Sequence, residues 1–228
     1  MDDDPTLERF SKLCRLFPLP RVVLFPHAVL PLHIFEPRYR QMTEDALADD
    51  QLVTIVQLRP PARGTEGALG SPPVEEIACV GRILQSERLP DGRFNFLLLG
   101  RKRVRLTREI PSQKLYRIAE AEILEDREDL VAEGAHRTEL IALFRSVFGE
   151  RHEIDDDLAS ILDGKLSMSV LTDIVAHALG LPPEVKQMLL ANPDVGGRAE
   201  CLLSILLELG TRTPVGVKSP YPPPFSVN

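Results

Sequence analysis

Hydrophobic positions follow two different periods along the chain. Up to about residue 125, apolar runs of strand length alternate with turn residues, as in Leu52 to Leu58 and Ile77 to Glu87. Beyond that point, apolar residues recur at helical spacing. These stripes comprise Leu140, Phe144, Val147 and Phe148; Leu171, Ile174, Val175, Ala178 and Leu179; and Leu202, Leu203, Ile205, Leu206 and Leu209. The pattern predicts a β-rich first half and a helical second half.

Prolines divide the first apolar stretch into short segments. Val22 to Phe25 and Val29 to Phe35 are predicted as two strands, with prolines on either side of each. Because proline lacks a ladder donor, these strands are expected at an edge or at the rim of a closed sheet. Pro37 suits the first turn of a helix, and Tyr39, Met42, Ala46 and Leu47 follow at helical spacing. The stretch therefore predicts strand, turn, strand and helix.

The rest of the first half predicts a sheet that curls. Leu89 to Gly92 has the composition of a hairpin turn, in which proline presets one residue and glycine supplies a positive φ. Gly100 interrupts the outgoing strand and predicts a bulge or bend before Arg103 to Glu109 and Tyr116 to Leu124. Six or so short strands with a single helix indicate a small, curled β-barrel-like domain. With the helical second half, the predicted fold class is α+β.

Charge and composition suggest four segments. The net charge of −7 is uneven, since residues 1–125 hold 18 Lys+Arg against 18 Asp+Glu and residues 126–228 hold 9 against 16. This shift coincides with the change of hydrophobic period. We therefore predict an N-terminal tail over 1–14, a β domain over 15–125, a helical bundle over 126–210 and a proline-rich tail over 211–228. The Pro, Gly and Ser-rich loop from Arg59 to Pro73 is long enough to be predicted as mobile or functional.

Composition favours an ordinary globular protein. The chain is 43% hydrophobic and 27% charged, and its opening, Met1 to Asp4, is acidic, unlike a signal peptide. A cytoplasmic location is expected. Cys14, Cys79 and Cys201 are too widely spaced for a zinc pattern, and their odd number does not fit a disulfide framework. They are predicted to be small buried hydrophobic residues.

Two motifs carry a family resemblance. The runs PLPRVVLFP, from Pro18 to Pro26, and LPLHIFEPRYR, from Leu30 to Arg40, resemble the opening of the Lon protease N-terminal, substrate-binding domain. Their spacing is closest to that of stand-alone proteins that carry this domain without the protease. The resemblance continues through residues 80–84, 89–92, 99–105 and 116–122. It implies a PUA-like fold for the β domain, followed by a helical part that helps to hold polypeptide substrates.

The sequence offers no recognisable catalytic machinery. Gly164 and Lys165 are followed by leucine, so no phosphate-binding loop is present, and neither G-x-S-x-G nor a serine with a lysine partner is evident. The protein is therefore predicted not to be an enzyme and to need no cofactor. His27 and His33 bracket the second predicted strand, but their spacing gives no metal-ligand geometry, and no metal site is predicted.

The resulting prediction is a non-catalytic polypeptide-binding protein, an adaptor or chaperone-like module in protein quality control. Its expected partners are unfolded or degron-bearing polypeptides and a separate ATP-dependent protease or chaperone. Apolar surface between the curled sheet and the helical bundle is expected to accept the bound segments, and unpaired backbone groups at the rim can pair with them. The candidate contact residues are Phe25, Pro26, His27, Phe35 and Arg38, together with the loop from Arg59 to Pro73.

A basic stripe supports the alternative of an RNA-binding module. Arg101, Arg103 and Arg105 alternate along a predicted strand and are expected to project from one face, with Lys102 and Arg108 nearby. PUA-like folds include RNA-binding modules. Against this, the chain is acidic and lacks interleaved aromatic residues that would stack unpaired bases. A third possibility, a small enzyme, would need a pocket of titratable groups with strongly shifted pKa values.

Overall fold

The computed structural model describes residues 10–59, 72–127, 133–149 and 166–211, with residues 162 and 164. Residues 1–9 and 212–228, which make up most of the two predicted tails, and residues 60–71 of the predicted loop from Arg59 to Pro73 lie outside the described residues. Contacts divide the chain into two compact units, the first reaching Leu124 and the second beginning at Glu125. Among the described helices, none combines the length and the apolar character needed to cross a bilayer.

The described part of the first unit contains six strands and one helix. In chain order these are β1 (Leu13–Leu19), β2 (Val29–Ile34), α1 (Pro37–Leu47), β3 (Leu52–Gln57), β4 (Ile77–Arg88), β5 (Phe94–Ile110) and β6 (Arg117–Ile123). The strands pair in the order β2-β5-β4-β3-β1-β6, and β6 also pairs with β5, so the pairing closes on itself with β2 attached outside the ring. The mixed composition of strands and helices was predicted correctly, while the PUA-like barrel classification stays a prediction.

The first strand lies earlier than predicted. Val22 to Phe25 was expected to be a strand, but the structure places β1 at Leu13–Leu19 and leaves the later segment outside the sheet. β1 pairs in parallel with β3 through Leu19 and antiparallel with β6 only as far as Leu16. Pro18 therefore lies beyond the end of the β6 pairing, where its missing N–H costs no ladder bond on that side.

The predicted hairpin joins β4 to β5. Gly92 adopts a φ of +80°, as its position in the turn requires, and its N–H donates to the carbonyl of Leu89. The two strands predicted on either side of Gly100 are one continuous strand, β5. The register of β4 against β5 shifts between Val80 and Gly81, opposite Gly100, so the predicted irregularity is present at this point.

The helix α1 begins at Pro37 as predicted and packs one face against the sheet. Its side chains Tyr39, Met42 and Ala46 are buried, and the Tyr39 ring lies 4.2 Å from that of Phe17, centroid to centroid. A core of small and branched side chains fills the interior of the sheet. It comprises Cys14, Leu16, Leu52, Val56, Ala78, Val80, Val104, Ala119 and Ala121. Of the three cysteines predicted to be buried, Cys14 and Cys79 are buried and Cys201 is half-buried.

The second unit is helical in its described residues. Its helices are α2 (Glu133–Gly149), α3 (Met168–Ala178), α4 (Pro183–Ala191) and α5 (Val195–Thr211). Ser167 caps α3 by accepting a bond from the Val170 N–H, and Asp194 accepts from the Gly197 N–H at the start of α5. The three predicted stripes lie on α2, α3 and α5, where they supply much of the buried apolar surface of this unit. Their arrangement as a bundle stays a prediction.

Candidate functional site

The outward side of β2 carries exposed apolar side chains. Residues alternate along the strand, so Leu32 and Ile34 point into the core and are buried, while Val29 is 41% exposed. Phe35, just after the strand, is 40% exposed, and its ring lies 6.2 Å from that of His33. Pro31 lies between Val29 and His33 on the same side of the strand and is half-buried. The outward side of β2 is therefore apolar along most of its length.

The neighbouring strands extend this surface. Leu99 pairs directly with Val29, and Leu97 pairs with Pro31; both leucines are half-buried. On β4, Leu84 is the extra residue where the register shifts beside Leu97, and it is 54% exposed. We call this surface the apolar face, and it is formed by Val29, Pro31, Phe35, Leu84, Leu97 and Leu99. Three of the seven large apolar side chains exposed in the described residues lie on it. Such a concentration is typical of binding surfaces.

A hydrogen-bonded polar group borders the apolar face near Phe35. His33 pairs with Asn95 across the strands, and its Nδ1 lies 2.7 Å from Asn95 Oδ1. Because that oxygen only accepts, Nδ1 donates, and Nε2 accepts from Arg93 at 3.3 Å. Arg93 in turn contacts Asp91 at 2.6 Å. Bonds from the backbone and side chain of Arg93 lower the pKa of Asp91.

Charged side chains around this surface are paired with one another. Arg38, a predicted contact residue, is 53% exposed; it contacts Glu36 at 2.7 Å and covers the ring of Tyr39 at 4.6 Å. Arg88 contacts Glu44 at 3.1 Å. Opposite charges held at these distances largely cancel each other's fields beyond a few ångströms. These two ion pairs therefore add little net charge to the surroundings of the apolar face.

Two of the predicted contact residues are buried. Phe25 is fully buried and Pro26 is also inaccessible, whereas His27, which follows them, is exposed. The loop holding them is fixed to β5, since the N–H of His27 donates to the carbonyl of Gly100 and the Gly100 N–H donates to the carbonyl of Ala28, each at 2.8 Å. This loop therefore positions His27 at the Val29 end of the apolar face, while Phe25 and Pro26 contribute packing below it.

The arginine stripe is not a free basic surface. Arg103 is 2% exposed, and Arg101 is half-buried. Arg105 is exposed but contacts Glu76 at 2.8 Å, and Arg108 contacts Glu120 at 2.8 Å. The hydrogen bond to Glu120 contributes most to raising the pKa of Arg108. The predicted alternation therefore does not give three cations on one accessible face. The exposed arginines Arg105 and Arg108 contact carboxylates, which does not favour phosphate binding.

Sequence reasoning missed most of the apolar face. Val29, Leu84, Leu97 and Leu99 were assigned to strands without a functional role, because an apolar residue in a strand is usually buried. The run Leu97 to Leu99 held a usable signal, since apolar residues at successive positions must point to both faces of a strand. One face packs in the core, so the other needs either a covering element or a partner.

The family comparison covers most of the chain. A family model described as the ATP-dependent protease La (LON) substrate-binding domain matches residues 14–208. Among curated proteins, Lon protease 2 of Desulfotalea psychrophila is 26% identical over 201 residues, or 86% of this chain and 25% of that protein. Lon protease of Desulfatibacillum aliphaticivorans is 29% identical over 202 residues, or 84% of this chain and 23% of that protein. The chain thus spans about a quarter of the length of these relatives.

Solved structures agree on the fold. The N-terminal domain of the Mycobacterium avium complex Lon protease superposes with a TM-score of 0.67 at 17% identity, covering 86% of this chain and 98% of that one. A Lon N-terminal domain protein from Xanthomonas campestris superposes with a TM-score of 0.62 at 23% identity, covering 84% and 97%. At these identities the likeness shows the fold alone.

Proposed function

The chain belongs to the family of ATP-dependent protease La (LON) substrate-binding domains, and from this premise we propose that it binds polypeptides and catalyses no reaction. The family match supports substrate recognition in general. The apolar face is the observation that directs the proposal to a particular surface, because it is accessible and apolar. In this proposal, exposed hydrophobic segments of unfolded or degron-bearing proteins dock on it.

Burial of apolar surface supplies the affinity in this proposal. Covering a phenylalanine or leucine side chain that is half exposed contributes on the order of 1 kcal/mol, so several such contacts are needed for micromolar binding. Val29, Phe35 and Leu84 each offer enough exposed surface to contribute in this way. His27 and Arg38 lie at the margins of the face and are proposed as its polar contacts.

The edge of β2 offers a second mode of contact at the same place. Among the described strands, β2 has a neighbour on one side alone, namely β5. Backbone groups on its other side can pair with an extended segment, which is how many domains capture peptides. Pro31 removes one donor from this strand, and that limits pairing with a second copy of the same sheet. A bound segment would therefore use the edge and the apolar face together.

We further propose that the protein acts as an adaptor in protein quality control. In this role it would deliver the unfolded segments that it binds to a separate ATP-dependent protease or chaperone. The curated relatives are Lon proteases, in which the matched region makes up about a quarter of the chain. Their activity supports this partner class.

Binding measurements test the proposal directly. Fluorescence anisotropy of reduced, carboxymethylated and labelled α-lactalbumin should rise on titration with the protein, and the affinity should change less than about threefold between low and physiological salt. Labelled single-stranded RNA serves as the competing ligand. Binding of RNA alone, with a steep fall in affinity as salt rises, would contradict the proposal and favour the arginines of β5.

Surface variants locate the site. Phe35→Asp and Val29→Asp place a charge on the apolar face and should each weaken binding of the unfolded protein by about tenfold or more, equivalent to about 1.4 kcal/mol. Leu115→Asp is the matched control, because Leu115 is 62% exposed and lies outside the apolar face. Equal losses in all three variants would show that general surface hydrophobicity, and not this face, is responsible.

A further inference from the structure

We infer that Arg40 is a carboxylate-binding residue of the proposed polypeptide site, whose guanidinium pairs with an acidic side chain next to the apolar stretch of a bound segment. This inference rests on the proposed function. It adds a charge preference to a surface that otherwise selects by apolar contact. The preferred ligands would be apolar segments flanked by glutamate or aspartate.

The packing of Arg40 is the first observation. Arg40 is half-buried, and its guanidinium lies on Gly92 in the turn between β4 and β5, where a Cβ on this glycine would come within 3.1 Å of the Arg40 Cζ. Gly92 has no such atom, so the flat guanidinium packs directly over the backbone of the turn. The charged group is therefore held against the protein, unlike that of an exposed arginine, which moves freely in water.

The pairing of the acids around Arg40 is the second observation. Glu36, one helical turn before it, is bound to Arg38 at 2.7 Å, and Glu44, one turn after it, is bound to Arg88 at 3.1 Å. Within the described part of the chain, Arg40 has no ion pair of its own. A half-buried guanidinium has lost part of its hydration, and a carboxylate placed beside it would replace the lost interactions.

The position of Arg40 relative to the apolar face is the third observation. The N–H of Arg40 donates to the carbonyl of Glu36 at 2.9 Å, and Glu36 directly follows Phe35. Its guanidinium lies on the turn just before Arg93, and Arg93 contacts His33, whose ring is 6.2 Å from that of Phe35. Arg40 is thus near the Phe35 end of the face. An extended segment rises about 3.3 Å per residue, so an acidic residue a few positions beyond the apolar contacts can reach it.

The chemistry of the guanidinium suits a carboxylate. It is planar, and its parallel N–H donors match the two oxygens of a carboxylate. Asp91, the acid of the neighbouring turn, binds Arg93 at 2.6 Å and so does not occupy Arg40. The ligand is assigned to a side chain because an unfolded polypeptide has a single C-terminal carboxylate but many acidic residues beside its apolar ones.

Three matched peptides measure this preference. All are labelled and share a stretch in which leucine alternates with serine. The first has a glutamate at each end of the stretch and an amidated C terminus, the second has glutamine in both places, and the third keeps the glutamines but has a free C-terminal carboxylate. By fluorescence anisotropy, the wild-type protein should bind the glutamate peptide about fivefold or more tightly than the glutamine peptide at low salt. This difference should shrink as salt rises.

Two arginine variants assign the preference to one residue. Arg40→Met keeps much of the apolar stem and removes the guanidinium, so the affinities for the glutamate and glutamine peptides should become equal within about twofold. If Arg40 merely supported the turn, its loss would weaken both peptides alike. Arg105→Met is the matched control, because it removes the same charge from a position far along β5 from this turn and should keep the preference for glutamate.

Each outcome has a distinct meaning. Equal affinities of the wild-type protein for the glutamate and glutamine peptides, with both weakened by Phe35→Asp, would overturn the role of Arg40 and leave the proposed function standing. A preference for glutamate that persists in Arg40→Met would also overturn it, because other cations would then be responsible. Tighter binding of the third peptide alone would replace the acidic side chain with a chain terminus and contradict the inference.

A last comparison separates this inference from the proposed function. If the glutamate peptide does not bind although carboxymethylated α-lactalbumin does, the inference fails alone. If the wild-type protein binds neither the peptides nor α-lactalbumin, both the proposed function and the inference fail.

Discussion

At the scale of single residues, Gly100 shows how closely the loop below the apolar face is packed. A Cβ on this residue would lie 2.0 Å from the carbonyl oxygen of Phe25 and 2.8 Å from its carbonyl carbon. Backbone atoms cannot give way as a side chain can. We therefore expect Gly100→Ala to lower the free energy of unfolding by about 1 to 3 kcal/mol, measured by urea denaturation followed by circular dichroism.

A second glycine provides the control for this substitution. Nothing lies within 4 Å of a Cβ built on Gly180, and its φ is outside the left-handed region. Gly180→Ala should leave the free energy of unfolding unchanged or raise it by less than about 1 kcal/mol. Similar destabilisation in both alanine variants would show that the close approach of Phe25 to Gly100 is not what limits the substitution.

The carboxyl group of Asp45 gives a prediction that depends on pH. Burial on its own would raise the pKa of Asp45, but hydrogen bonds from Lys114 and Tyr116 outweigh it and bring the pKa below 3.8. A pKa lowered by folding stabilises the folded state above the unfolded value, and this stabilisation is lost as the pH falls through the folded pKa. Asp45→Asn should therefore cost about 1 kcal/mol near neutral pH, and the difference from wild type should shrink towards zero as the pH falls through the lowered pKa of Asp45.

Urea unfolding at a series of pH values measures this difference. Glu44→Gln, on the same helix, is the comparison, because Glu44 pairs with Arg88 on the surface with both side chains largely exposed. It should change the free energy of unfolding by less than about 0.5 kcal/mol. A constant gap between wild type and Asp45→Asn across the whole pH range would refute the role assigned to the ionised carboxylate.

Residue identity alone could not separate buried from accessible members of the candidate site. Phe25 directly precedes Pro26 and Phe35 lies two residues before Pro37, yet Phe25 is fully buried and Phe35 is 40% exposed. The difference comes from the tertiary structure. Phe25 belongs to the loop that is hydrogen-bonded to Gly100, whereas Phe35 directly follows β2 on the outward side of the sheet. Likewise, Arg103 is buried although its side chain carries a charge. Such differences depend on contacts between residues far apart in the sequence.

At the scale of elements, prediction succeeded where the signal was local. The helix from Pro37 and the hairpin around Gly92 each follow from a few neighbouring residues, and the structure contains both. β1 was missed because its evidence is distant. Leu13 to Leu19 contains a charged residue and a proline, and it becomes a strand by pairing with β3 and β6. A sequence window around it cannot contain those partners.

A buried arginine joins three elements of the second unit. Arg198 on α5 is 1% exposed and binds Asp126 through two hydrogen bonds of 2.9 and 2.6 Å, while Asp173 on α3 lies 3.9 Å away. Arg198→Met would leave two carboxylates without this cation. Removing one member of a buried pair typically costs about 3 to 5 kcal/mol. We expect destabilisation of that order, seen as early loss of helical signal in urea.

A surface ion pair serves as the matched comparison. Arg105 contacts Glu76 at 2.8 Å, and both side chains are about half exposed, at 48% and 52%. Arg105→Met should therefore change the free energy of unfolding by less than about 1 kcal/mol. If Arg198→Met were as mild as Arg105→Met, the buried carboxylates would have to be satisfied by other groups, and Arg198 would not hold the three elements together.

At the scale of the whole molecule, the first unit can be tested on its own by shortening the chain. Every pairing between the described strands lies within the first unit, and the Leu124 N–H donates to the carbonyl of Arg103 at the end of its sheet. The next described residues bond within the second unit, since Asp126 binds Arg198 and the Arg127 N–H donates to the carbonyl of Pro193. A chain ending at Leu124 should thus fold cooperatively, and it should bind unfolded α-lactalbumin within about threefold of the full-length affinity, as all six residues of the apolar face are kept.

Circular dichroism and anisotropy on the shortened chain test this expectation. Ending the chain at Arg127 instead gives a useful comparison, because it adds residues whose hydrogen bonds belong to the second unit and should bring no gain in stability. A shortened chain that is unfolded would show that the sheet needs the helical unit. One that folds but does not bind would place part of the polypeptide site outside the first unit.

Closure of the strand ring also has a consequence for synthesis of the protein. β1 is made first but needs β6, the last strand, to complete its pairing, so the sheet stays open on the ribosome until nearly the whole first unit has emerged. During that time Leu16 and Phe17, both buried in the finished protein, are exposed to solvent or to any chaperone present. The nascent chain is then itself a segment of the kind that the finished molecules are proposed to bind.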